Sequence, residues 1–134
     1  RDRAPRPNSA AERQLVGRFA DAFQSGDIDG MVSLLTDDAL LTMPPVPLEY
    51  QGREAIAAIL RYAKDLRGVP VRLVPIRANG QPALGCYLED AHASIARPWS
   101  LIVLTLEGDA ITAITRFGDT SVFPHFGLPR TLPI

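Results

Sequence analysis

Few residues in this 134-residue chain are of a type and spacing to do chemistry. Asp37 and Asp38 are the obvious paired carboxylates, an arrangement that can divide general-acid from general-base work. Placed just ahead of an extended run, they serve equally well in a helix-to-strand turn, bonding local backbone. Asp119 shares strand parity with Ile111, Ala113, Thr115 and Phe117, so it is expected to point inward from the last strand. A carboxylate facing an apolar pocket has its pKa raised and can act as a base. A slip of one residue would put Gly118 there and leave Asp119 capping the next turn. Tyr87 and His125 are the other acid–base candidates, with His125 of FPHFGLP able to hang over a pocket rim. His92 lies in a separate loop, and no Cys or acidic spacing around either histidine resembles a metal site. No cofactor is expected: phosphate-cradling loops and a serine nucleophile elbow are both lacking.

The elements that must position these groups are legible in outline. Residues 1–8, RDRAPRPN, have the composition of a linker, as expected either of a segment taken from a longer chain or of a chain trimmed for expression. The domain proper is expected over residues 9–134. Ser9 and Glu12 stand at capping-box spacing, and Leu15, Phe19 and Phe23 form one apolar stripe behind them. Gly26 stops this helix and Asp27 caps a short second one through Ile28, Met31, Val32 and Leu35. Ala39 to Met43 reads as a strand, ended by Pro44, Pro45 and Pro47, with room for a short strand before the third helix. Gly52 opens that helix, which carries Ile56, Ile59, Leu60 and Ala63.

A strand over residues 69–77, with Pro70 and Pro75, suits a sheet edge. Asn79-Gly80 is a strong hairpin signal, and residues 83–89 return from it. Residues 90–98 read as a loop, WSLIVLTL from Trp99 as a central strand buried on both faces, and residues 110–119 as its partner after Gly108-Asp109. The tail, too proline-rich for a helix, should pack through Phe123, Phe126 and Leu128. Helices first and a hairpin meander after indicate an α+β fold. Trp99, Tyr50, Phe19, Phe23, Met43, Ile59, Leu101 and Phe117 would line an apolar pocket suited to a small hydrophobic molecule.

The formal net charge of −1 gives no reason to expect nucleic acid as a direct partner. No apolar run approaches the length of a membrane span. The single cysteine, Cys86, excludes an internal disulfide, reads as a small buried hydrophobe and fits a cytoplasmic setting. Val71, Leu73, Ile102 and Leu104 would make a hydrophobic seam if uncovered, so a homodimer is expected.

The phrases ADAFQSGDIDGMVSLLTDDALLTMPP and YQGREAIAAIL, followed by a late Val- and Leu-rich strand, resemble the SnoaL-like branch of the nuclear-transport-factor-2-like superfamily. The resemblance implies a cystatin-like cone: a curved antiparallel sheet packed on three helices around an apolar pocket. MPPVPLEYQGREAI, ANGQPALGCY, VLTLEGDAITAITRF and FPHFGLP are similar to the carboxy-terminal domain of a subgroup of actinobacterial extracytoplasmic-function sigma factors. That similarity implies a regulatory domain whose partners are sigma-factor domains or RNA polymerase in a longer parent chain. Ketosteroid isomerases share the cone. Aligned on the DDA phrase, their catalytic Asp falls at Met43 and their Tyr donor on the Phe19–Phe23 stripe, so neither group is present. The alternative is a free-standing isomerase, epoxide hydrolase or cyclase acting on a polyketide- or terpenoid-like substrate through Asp119, Tyr87 or His125.

Overall fold

The computed structural model describes residues 4–134, so Arg1 to Arg3 of the linker-like start lie outside the described residues. Helix α1 spans Ala10–Ser25, and Ser9 caps it by accepting from the Glu12 N–H. Glu12 reaches one residue further back than a capping box requires: its Oε1 accepts from the Asn8 N–H, while the Ser9 N–H donates to the Arg6 carbonyl. Gly26, at φ 74°, ends the helix, and Asp27 caps α2 (Ile28–Val32) through the Gly30 N–H. Helix α3 spans Arg53–Arg67.

Seven strands occur among the described residues: β1 (Leu35–Met43), β2 (Val46–Gln51), β3 (Val71–Ala78), β4 (Gln81–Asp90), β5 (Ile95–Glu107), β6 (Ala110–Phe117) and β7 (Leu132–Pro133). The sheet order is β2-β1-β6-β5-β4-β3, with β7 on β5. Asn79 and Gly80, at φ 53° and 80°, form the β3–β4 hairpin turn read from the sequence. The sheet is antiparallel except where β6, returning from the meander, pairs in parallel with β1. It is therefore a mixed sheet, and the expected cone is otherwise as described.

Three local readings are corrected. Asp37 and Asp38 lie within β1, not ahead of it, in the stretch where its register with β6 breaks. Asp37 there pairs with Arg53 at 3.0 Å, while Arg53 also donates to the Leu35 carbonyl, tying α3 to β1. Strand β5 begins at Ile95, inside the expected loop, because Ala96 and Arg97 pair with β4. The tail does form a helical turn, a 3-10 helix over Thr120–Phe126, because a short 3-10 run tolerates Pro124 where a longer α-helix would not.

The sheet has a core on each face. The inner one holds α1, α2 and α3 through Leu15, Phe19, Phe23, Met31, Ile56, Leu84 and Leu104. The outer one lies under the C-terminal strap, residues 120–134, and holds Tyr87, Leu101, Phe123 and Leu128. Phe123 and Leu128 thus pack as expected, with Phe126 half-buried beside them. The seam expected of Val71, Leu73, Ile102 and Leu104 does not exist as an exposed surface. All four face the helices in the inner core.

Candidate functional site

Between the sheet's inner face and α1 and α3 is a hollow of about 330 Å³. Phe19 and Phe23 come from α1, Met43 from β1, Ile59 from α3 and Trp99 from β5. All five were expected in the pocket. Trp99 faces inward because β5 carries an extra residue there: Ser100 opposes Cys86 and Pro98 opposes Tyr87, leaving Trp99 unpaired on a bulge. The rim includes Tyr62 and Leu66, which are 62% and 73% exposed. No carboxylate, histidine or cysteine lines the hollow among the described residues.

Met43 and the Phe19–Phe23 pair therefore occupy the cone wall, and none of them can take or give a proton at neutral pH. The two phenyl rings stand edge to face, their centroids 6.0 Å apart. The charged lining residues are Arg67, from the last turn of α3, and Arg116, from β6. Burial lowers both guanidiniums from the ordinary arginine value.

The remaining expected site residues stand elsewhere. Leu101, Phe117 and Asp119 line a different hollow, of about 390 Å³, on the outer face beside Val122 and Phe126. The parity from Ile111 to Asp119 fails because β6 carries an extra residue at Thr112. Thr105 opposes Ala113 and Leu106 opposes Ile111, so every side chain beyond that bulge changes face. Arg116, on the opposite parity to those residues, consequently points into the cone, and Phe117 points out of it.

Asp119 is exposed and caps the 3-10 helix. Hydrogen bonds from the Ser121 hydroxyl and N–H hold its carboxyl below the ordinary value, opposite to the rise expected in an apolar pocket. Tyr87 is buried under the strap, where its hydroxyl donates to the Pro129 carbonyl at 2.7 Å. Burial raises that phenol. His125 is exposed on the 3-10 helix. Asp119, Tyr87 and His125 are thus not brought together at the cone. Tyr50 packs half-buried against the inner core without lining the hollow. Cys86 is buried, and desolvation pushes its thiol up to about 12. It stays a neutral packing group. No cluster of residues able to hold a metal occurs among the described residues.

The cone, the helices laid inside it and the order of the meander define the class. The family model for the SnoaL-like domain matches residues 16–120, and this chain belongs to that family. Over 98% of its length the chain is 36% identical to the ECF RNA polymerase sigma factor SigG of Mycobacterium tuberculosis. It spans about a third of that relative, 35%. Among solved structures it is similar to an NTF-2 like protein of unknown function from Burkholderia xenovorans. That match has a TM-score of 0.63, 16% identity, and covers 79% of this chain and 80% of the other. It is also similar to a hypothetical protein of ketosteroid isomerase-like fold from Catenulispora acidiphila, in complex with trimethylamine. There the TM-score is 0.60 with 20% identity, over 87% of this chain and 95% of the other. At these identities the two structures bear on the fold alone.

Proposed function

We propose that this domain is a cytoplasmic regulatory module that binds a small hydrophobic molecule and acts on the sigma factor carrying it. The observation that carries the reading is the cone itself: about 330 Å³ of apolar space lined by no carboxylate, histidine or cysteine among the described residues, its one phenol, Tyr62, standing exposed at the rim. Identity to a sigma factor along nearly the whole chain supplies the context. Sigma-factor domains or RNA polymerase would then be the partners, and the apolar rim at Tyr62 and Leu66 is available to them when the ligand changes the cone. The trimethylamine of the Catenulispora protein does not transfer, because two guanidiniums line the hollow here.

Ile59→Trp places an indole inside the hollow. It is expected to weaken saturable binding of the neutral dye N-phenylnaphthylamine at least about tenfold, the equivalent of roughly 1.4 kcal/mol. Dye affinity equal to wild type would remove the cone as the binding site. In a parent chain with promoter-binding domains, the same substitution should change sigma-dependent transcription at constant protein level. Unchanged output would separate binding from regulation. The homodimer would form through the outer face, where Phe117, Val122 and Phe126 remain half-buried beside the strap. A light-scattering mass of one chain would remove it.

A further inference from the structure

The two side chains that charge the cone are both cationic, and neither is matched by an acid. Arg53, Arg61, Arg72, Arg77 and Arg97 each find a carboxylate within 3.2 Å. Arg6, Arg13, Arg18 and Arg130 make no ion pair but are exposed to water; among the described residues Arg67 and Arg116 are the half-buried arginines without one, and the Arg67 Nε is buried without an acceptor. Aromatic rings hold them instead. The Arg116 guanidinium lies 4.9 Å from the Trp99 ring centroid. That of Arg67 lies 5.7 Å from Trp99 and 5.7 Å from Phe23. Stacking on rings fixes where a guanidinium sits but leaves its N–H donors unused. Two half-buried cations on one indole also repel each other until an anion joins them.

We propose that the ligand of the cone is an amphipathic organic carboxylate. Its apolar body lies against Phe19, Met43 and Ile59, and its carboxylate accepts from Arg67 and Arg116 beside Trp99. The bulge that turns Trp99 inward and the bulge that turns Arg116 inward are both needed to build this end of the hollow. The inference rests on the ligand-binding reading above and adds the chemistry of the ligand's head.

Decanoate, decanol and decyltrimethylammonium share one chain and differ in the head group, and Trp99 is the only tryptophan available to report their binding. Titrated near neutral pH, below the micelle concentrations of the two ionic probes and the solubility limit of decanol, decanoate is expected to bind at least about tenfold tighter than decanol, since hydrogen bonds to a charged partner are the strong ones. Decyltrimethylammonium should bind weakest. Calorimetry on Arg67→Gln/Arg116→Gln should find the ratio of decanoate to decanol affinity brought down to about one. The double Lys variant should keep part of the preference, as charge survives and the bidentate fork does not.

Equal affinity of decanol and decanoate for wild type would overturn the proposal while leaving an apolar ligand site standing. A preference that survives in the Gln variant would place the carboxylate elsewhere and overturn it as well. Absence of saturable binding by all three would overturn both readings, leaving the arginines as cover for Trp99 or as a contact for an acidic partner. Should the double variant fail to fold by circular dichroism, the wild-type comparison of decanoate with decanol decides alone.

Discussion

Arg77→Met is expected to destabilise the domain by roughly 2–4 kcal/mol, toward the low side for breaking a buried ion pair. Glu12 sits in the first turn of α1 with only 7% of its side chain exposed, while Arg77 of β3 keeps 28%. The contact at 2.5 Å is the bond that fastens the start of α1 to the sheet edge, and Arg77 continues to the Gly80 carbonyl of the hairpin turn. With Arg77 gone, a carboxylate stays behind in a site built for a pair. Replacing both partners, as Glu12→Gln/Arg77→Met, should recover most of the loss, because nothing charged is then left buried. Urea midpoints of the two variants check this. A double variant no more stable than Arg77→Met would mean that the guanidinium's packing, not its charge, holds the edge.

The same pair sets a pH dependence whose direction follows from the structure. Burial raises the Glu12 carboxyl, but hydrogen bonds from Arg77 and the Asn8 N–H, with the charges of Arg77 and Arg13, outweigh it and bring the group below its ordinary 4.5. A group lowered in the folded state stabilises the fold above its unfolded value. That contribution is lost as pH falls from 4.5 through the folded value. In Arg77→Met the lowering partner is removed and burial dominates, so the carboxyl moves up. The stability gap between wild type and variant should therefore shrink on going from neutral pH to about pH 4. A gap that is constant over that range would contradict the assignment.

Phe123→Ala is expected to cost about 3–5 kcal/mol, the range for emptying a buried phenyl site. Phe123 is 1% exposed and meets the Tyr87 ring edge-on at 5.3 Å. The strap is held further by the Tyr87 hydroxyl on Pro129, by Leu128 seated over Gly85 and by the pairing of β7 with β5. A Cβ at Gly85 would stand 2.8 Å from Leu128 Cδ1, so the glycine's missing side chain is the notch that the leucine fills. Loss of the phenyl should therefore loosen the whole strap, and limited proteolysis should cut in residues 120–134 before the body unfolds. A loss under about 1 kcal/mol would show that the outer core adds little and that the inner one carries the fold.

How much of this could be read from the chain alone depends on whether a feature has a local signature. Ser9 with Glu12, Gly26 with Asp27, and Asn79-Gly80 each satisfy backbone groups within a few residues, so their spacing betrayed them. The stripe of Leu15, Phe19 and Phe23 was legible for the same reason, as was the absence of an acid or base at Met43. The two bulges left no such mark. Thr112 looks like any strand residue, yet the extra position moves Arg116 into the cone and sends Phe117 and Asp119 to the outer face. Trp99 was found from its size and not from its bulge. Arg67 could have been noticed one helical turn beyond Ala63, itself in the wall, but a charged residue near a helix C-terminus ordinarily reads as a dipole partner. The buried state of Val71, Ile102 and Leu104 depends on which face the helices cover, and that is settled by topology.

The most direct test of the cone as a binding site is native mass spectrometry on protein purified, without organic solvent, from the organism that makes it. Ions heavier than the bare polypeptide by one small organic molecule are expected for wild type and not for Ile59→Trp. Bare chain alone in both, or the same added mass retained equally by both, would contradict the assignment of this hollow.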